Sequence, residues 1–211
     1  ISLILGEDHK KMSKRHGATS VTEYRNMGYL PQAVVNYLAL LGWTPKGEQE
    51  IFTEEELIQQ FSMKRVSSND AVFDINKLNW INFQYMKKLN EDELFDVVFP
   101  FLVKAGYAEE NPSAEKKDWL KRVVWYMKDH IYYAGQAAEE LKLFFEDMPE
   151  LTDAEVLSIM KADTSKQLLT AFTAALEQLE SFDQASIKKC FNSCMKENGI
   201  KGKAAYEPTR I

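Results

Sequence analysis

"PQAVVNYLALLG", residues 31–42, reads as one helix with both of its ends written into it. Pro31 suits a first helical position, where its missing N–H has no partner to lose. Val34, Val35, Leu38 and Leu41 then fall along one apolar stripe, and Gly42 stops the helix. The same grammar recurs on both sides. "SVTE", Ser20 to Glu23, is a capping box opening a short helix that Gly28 ends. "TEEELIQQF" opens with a second box, Thr53–Glu56. Asp74 caps "INKLNWINFQYM", in which Ile75, Leu78, Ile81 or Phe83, and Met86 keep helical spacing. Asn90–Glu93 opens "EDELFDVVFPFLVKAG", where Pro100 is expected to kink the helix or mark its last regular turns.

The pattern continues to the end of the chain. Asn111-Pro112 starts a long segment with apolar residues at Trp119, Val123, Tyr126, Ile131, Ala134, Leu141 and Phe145. It is long enough for two helices, with a break at Gly135 or near His130. Thr152–Glu155 caps "AEVLSIMK". "SKQLLTAFTAALEQL" is amphipathic through Leu168, Leu169, Phe172, Ala175, Leu176 and Leu179. A last long helix begins at Asp183 and stops at Gly199. That makes eight or more helices joined by short turns, with "ISLIL" at the front reading as a buried strand. "GWTPKGEQE", 42–50, is a loop, and no repeat of fixed period stands out.

The 211 residues suffice for one large domain or two small ones, and 45% hydrophobic residues exclude a disordered chain. No apolar run approaches the length that spans a membrane. The chain opens inside its strand without an initiator methionine, which leads us to expect a piece of a longer protein. Cys190 and Cys194 are the only cysteines, spaced to share a helix face. With no further ligand nearby, small core residues of a reduced intracellular protein are expected, and no metal site. The net charge of −6 is uneven: residues 1–90 hold 11 Lys/Arg against 10 Asp/Glu, and residues 91–211 hold 15 against 22. Any contact with nucleic acid must therefore use local patches.

One such patch is "EDHKKMSKRHGATSVTEY", residues 7–24, where Lys10, Lys11, Lys14 and Arg15 cluster between His9 and His16. Clustered cations repel unless solvent or an anionic ligand offsets them. Lys11 and Lys14 are three apart in a loop, so both ammonium groups can converge on one phosphate; Ser13 adds a hydroxyl and Gly17 a turn. From composition alone, an anion-binding loop and a solvated basic turn read equally well.

Lys11-Met12-Ser13-Lys14-Arg15 resembles the KMSKS signature of class I aminoacyl-tRNA synthetases. The longer string "LILGEDHKKMSKRHGATSV" is similar to the version in bacterial-type glutamyl-tRNA synthetases. "YRNMGYLPQAVVNYLALLGW", "FTEEELIQQF", "FDINKLNWIN" and "NGIKGKAAYEPTRI" resemble further segments of that family. The resemblance implies a mostly α fold in three parts: residues 1–17 end a catalytic domain, 18–87 form an irregular α-rich stem-contact region, and 88–211 form an all-helical anticodon-binding domain.

It also implies a chemistry. The loop closes over ATP, carried with Mg2+, and Lys14 stabilises the triphosphate charge as pyrophosphate leaves. Lys11 and Ser13 support it, Met12 packs beneath the loop, and Arg15 completes the signature. tRNA(Glu) is the implied partner and glutamate the amino acid, with charging of tRNA(Gln) left open. A monomer in the cytoplasm is implied as well. Lys64, Arg65, Lys116, Lys117, Lys121 and Arg122 are candidates to hold tRNA phosphates. His130 is a candidate for the first anticodon letter, and Trp119, Trp125, Tyr126, Tyr132 and Tyr133 are candidates to stack on bases or to fill the core. The family's first signature, resembling His-Ile-Gly-His, is missing, since the three histidines are His9, His16 and His130. These residues alone are therefore expected to bind tRNA without charging it. A free-standing helical tRNA-binding module and a protein-interaction scaffold with an incidental basic loop are the rival readings.

Overall fold

Capping hydrogen bonds open the helices at the residues that the sequence marks. The computed structural model describes residues 3–13, 20–147 and 150–211. Ser20, Thr53 and Asn90 each accept from the backbone N–H three residues on, while Glu23, Glu56 and Glu93 reach back to the cap N–H. These boxes start α1 (Val21–Met27), α3 (Glu54–Gln60) and α5 (Glu91–Lys104). α2 (Pro31–Gly42) begins at its proline, and Asp74 caps α4 (Ile75–Met86) with bonds to the amides of Asn76 and Lys77. The described residues also hold α6 (Ala114–Tyr126), α7 (Ala137–Glu140), α8 (Ala154–Lys161), α9 (Asp163–Leu176), α10 (Gln184–Glu197) and α11 (Lys203–Tyr206). The mostly α expectation holds.

Three details differ from the sequence reading. The strand at the front is short, β1 (Ile4–Leu5), and Ile4 is partly exposed; it pairs in parallel with β2 (Ala71–Val72), which no alternating pattern announced. One detail agrees with it: α5 runs through Pro100 and ends at Lys104, so the proline does mark its last regular turns. Ser113, not Asn111, caps α6, and Asp153, not Thr152, caps α8. On α2, Val35 and Leu38 point to solvent, while Ala33, Val34, Asn36 and Tyr37 are buried. A polar residue turned the helix: the Asn36 amide donates to the Glu50 carbonyl at 2.9 Å and accepts from the Phe52 N–H at 2.7 Å. That bonding brings the 44–52 loop onto α2 at the cost of an inward apolar side chain.

The chain divides into two compact units, residues 1–147 and 148–211. In the first, α2 packs on α4 around Tyr24, Tyr29, Tyr37, Phe73, Leu78 and Ile81. α5 packs on α6 around Phe95, Val98, Leu102, Leu120, Val124 and Ile131. The turn at 87–90 joins α4 to α5. In the second unit, α9 and α10 pack over a small core of Leu168, Cys194, Ile200 and Ala205, with Cys190 half-buried beside it; both cysteines are free.

Two contacts join the cores of the first unit. Asn82, fully buried on α4, accepts from the Leu30 N–H at 2.8 Å and donates to the Tyr132 carbonyl at 2.6 Å. Beside it, the Ala134 N–H donates to the Gly28 carbonyl at 3.0 Å. The backbones touch so closely that a Cβ on Gly135 would lie 2.4 Å from the Met27 carbonyl oxygen. This contact explains the break after α6. The Tyr132 carbonyl and the Ala134 N–H bond outward, so residues 127–136 form short 3-10 turns and an extended stretch in place of a continuous helix.

Asn82→Ala leaves two part-buried backbone groups without their partner and a void at a fully buried position, and is expected to cost about 1–3 kcal/mol, read as a lower urea midpoint at unchanged slope. A loss below about 0.5 kcal/mol would mean that the junction bonds are dispensable.

Burial also pushes the phenols of Tyr24, Tyr37 and Tyr85 up to about 12 and raises that of Tyr29 further. In the unfolded chain they ionise near pH 10. Between about pH 10 and 12 the folded state therefore holds more protons than the unfolded state, and stability falls as pH rises. Urea midpoints should be level up to about pH 9 and decline above about pH 10, in step with tyrosinate absorbance on unfolding. A midpoint that stays level through that window would contradict the burial of these hydroxyls.

Candidate nucleic-acid interface

The basic motif starts from a backbone turn. After β1, the Gly6 N–H donates to the Lys10 carbonyl at 2.8 Å, and His9 takes a left-handed φ of 58° to close the turn. Asp8 accepts from the Lys10 N–H. The returning strand pairs Lys11 with Leu5, and the Met12 N–H donates to the Ile4 carbonyl at 2.9 Å. Lys11 is exposed, while Met12 is half-buried against the aromatic core of α2 and α4. The start of the motif is thus tied to β1 by backbone bonds, with a hydrophobic anchor one residue after an outward cation. Lys14, Arg15 and His16 lie outside the described residues.

The candidate phosphate contacts divide by how far each is already engaged. Lys64 is exposed in a 3-10 turn at 63–65. Its neighbour Arg65 is held inward: one guanidinium nitrogen donates to the Gln60 carbonyl at 2.7 Å, and the group lies 5.2 Å from the Trp43 ring centre. Its other terminal nitrogen is buried without a hydrogen bond, as is the Trp43 indole N–H. Lys116, Lys117 and Arg122 are exposed on α6. Lys121 bonds to Asp92 at the start of α5; that bond holds the Asp92 carboxyl below its usual range and Lys121 above its own.

The aromatic candidates divide likewise. Trp119 packs edge-on to Phe145 and Tyr133 stacks on Tyr29 at 4.8 Å, so both belong to the core. Trp125 is half-buried under the ammonium of Lys128 at 3.5 Å, a contact the sequence reading missed. Tyr126 and Tyr132 are exposed, with relative exposures of 64% and 41%. Arg122 and Tyr126 share a face of α6 by their spacing of four, and His130 is exposed at the end of the following turn. A cationic group, ring faces and an imidazole therefore occur together in residues 122–132, the mixture that grips single-stranded loops. An open cleft of about 750 Å3 elsewhere in this unit is lined by Glu48, Glu50, Asp70, Asp74 and Lys77, and its acidity repels phosphate.

Residues 93–211 match the family described as anticodon binding domain. The chain belongs to that family. Residues 1–80 match the tRNA synthetases class I (E and Q), catalytic domain. Over all 211 residues the chain is 41% identical to the glutamate–tRNA ligase of Desulforamulus reducens and to glutamate–tRNA ligase 1 of Caldicellulosiruptor saccharolyticus. It covers 44% of each, so it spans under half the length of these curated relatives. Its fold is similar to the crystal structures of a glutamate tRNA ligase from Elizabethkingia meningosepticum, in complex with its amino acid, and of the glutamate-tRNA synthetase from Elizabethkingia anophelis. Each has a TM-score of 0.75 and 26% identity; all of this chain is covered, against 44% and 43% of theirs. Among the described residues no helix is long and apolar enough to cross a membrane, and no group of three or more His, Cys, Asp or Glu is placed to hold a metal ion.

Lys64→Ala should leave the stability from urea unfolding within about 0.5 kcal/mol of the wild type, whereas Arg65→Ala should cost about 1–3 kcal/mol through its lost carbonyl bond and indole contact. Equal effects would mean that the two neighbouring cations are held alike.

Proposed function

We propose that these residues are the tRNA-binding part of a glutamate–tRNA ligase, which joins glutamate to tRNA(Glu) through an adenylate made from ATP. The observation that supports this most is the unbroken match of the whole chain to glutamate–tRNA ligases, from the KMSKR string through the anticodon-binding region. In this reading residues 1–17 close a catalytic domain, 18–87 touch the inside of the tRNA, and 88–211 read its anticodon. Lys14, aided by Lys11, neutralises the triphosphate as pyrophosphate departs; Mg2+ arrives on the nucleotide's own phosphates. Ser13 and Arg15 complete the loop, and Met12 fixes its root.

For tRNA, Lys64 and Arg122 offer exposed charges for phosphates. Lys121 serves the same role once Asp92 releases it, and Arg65 steadies the turn that presents Lys64. His130, with the exposed rings of Tyr126 and Tyr132, faces unstacked bases of the anticodon loop; tRNA(Gln) is a second substrate to test there. The protein works as a cytoplasmic monomer.

The test is a filter-binding titration of the 211-residue chain with tRNA(Glu), tRNA(Gln) and anticodon-altered tRNA(Glu). Binding that weakens steeply with salt and prefers the native anticodon is expected, without charging. In the complete enzyme, Lys14→Ala should slow ATP–pyrophosphate exchange while leaving tRNA affinity nearly intact. No tRNA binding at low salt, or glutamate charged onto tRNA by the 211 residues alone, would defeat the reading.

A further inference from the structure

Helix α10 has two chemically distinct sides. Ile187, Cys190, Phe191, Cys194 and Met195 turn toward the small core of the second unit or its margin. The opposite side carries Lys188, Lys189, Asn192, Ser193 and Lys196, all exposed, along a shallow surface groove of about 450 Å3. No carboxylate lies at helical contact spacing from these lysines, since positions three and four away from each are Gln, Ala, Ser, Asn, Gly, Ile or Phe. Among the described residues none of the three ammonium groups is in an ion pair, whereas Lys203 in the same unit pairs with Glu207. The stripe sits in a unit that is otherwise acidic, because residues 148–211 hold eight Lys/Arg against nine Asp/Glu, and three of the eight are gathered here.

The spacing is that of a grip on a chain of anions. Lys188 and Lys196 are separated by eight residues, about 12 Å along the axis. A row of that length can face several successive phosphates of one RNA backbone strand. Asn192 and Ser193 fall between the lysines, which keeps like charges off adjacent helical turns and adds two neutral donors to the row. The support beneath is fixed. The Asn198 amide donates to the Cys194 carbonyl at 2.8 Å and accepts from Gln167 of α9 at 3.0 Å, tying the end of α10 to its neighbour.

We propose that Lys188, Lys189 and Lys196 hold backbone phosphates of the tRNA's anticodon arm, giving affinity that does not depend on base identity. This rests on the tRNA-binding reading above and adds to it a second surface, remote in sequence from residues 122–132. Phosphate contacts position a nucleic acid, while contacts to base edges select it. The stripe therefore sets how tightly the arm is held and leaves the choice of anticodon to other residues.

The experiment compares the wild-type chain with Lys188→Gln/Lys189→Gln/Lys196→Gln in a KCl series, using tRNA(Glu) and its isolated anticodon hairpin as probes. Glutamine keeps helix propensity close to that of lysine, and the melting temperature should not move. A control, Lys161→Gln/Lys166→Gln/Lys203→Gln, removes the same formal charge from the same unit. Each lost phosphate contact flattens the slope of log K against log salt by ~0.7–0.9, so the stripe variant should be shallower by about 2 on both probes and ~tenfold weaker at low salt. Its ratio of affinities for native and altered anticodons should equal that of the wild type, and the control should keep the wild-type slope. A wild type that binds while the stripe variant keeps its slope overturns this proposal alone. So does an equal drop in the control, or a variant that loses anticodon preference. A wild type that binds no tRNA overturns the tRNA reading itself and the stripe with it.

Discussion

The two cores of the first unit are tied to each other through the carboxamide of Asn82. Its oxygen takes the N–H of Leu30, at the entrance of α2, and its nitrogen gives a proton to the carbonyl of Tyr132. One buried side chain thus satisfies backbone groups from two segments about a hundred residues apart. Without it both part-buried groups would lose their partner, so the two segments are tied to each other through this side chain. The contact at Gly28 and Gly135 adds a steric condition to the polar one. Any side chain at Gly135 would push against the Met27 carbonyl, a backbone atom that cannot swing aside. The α2–α4 and α5–α6 cores are therefore joined through main-chain contacts, which leave little play.

That joint has a functional meaning within the proposed reading. α1 is the first helix after the KMSKR segment in sequence, and its last residue Met27 and cap Gly28 are what Gly135 and Ala134 rest upon. The stretch that ends there, residues 127–136, includes the exposed His130 and Tyr132. A base-reading surface and the helix leading out of the nucleotide loop therefore share one contact. Electrostatics divides the labour further. Cations such as Lys64 and Arg122 are left to solvent, whereas Arg65 and Lys121 are drawn into local bonds that shape the surface around them.

Much of this fold was legible in the chain because helix ends are local events. A capping box needs only four residues, and Ser20, Thr53 and Asn90 form theirs as read. What failed depended on distant partners. Nothing near Asn36 says that its amide will hold the Glu50 carbonyl and the Phe52 N–H, so the periodicity of α2 placed Val35 and Leu38 inward when they face out. The break at 127–136 falls where the sequence put it, near His130 and Gly135, but its cause, the bonds of the Tyr132 carbonyl to Asn82 and of the Ala134 N–H to Gly28, lies in distant segments. β2 was invisible because two residues cannot display an alternating pattern. The candidate site divides the same way. Motif and charge mark Lys11, Arg122 and His130 as candidates, whereas the inward lock of Arg65 on Trp43 and the seat of Lys128 over Trp125 are tertiary facts.

Cys190 and Cys194 show how spacing decides chemistry. Residues four apart on a helix keep their Cβ atoms about 5–6 Å apart, while a disulfide needs about 3.5–4.5 Å. Burial raises the thiol of Cys194 and so withholds the reactive thiolate. Oxidants consequently cannot stitch the pair together unless α10 first unwinds. The helix that presents the lysine stripe therefore carries every sulfhydryl the chain possesses without an internal bridge between them.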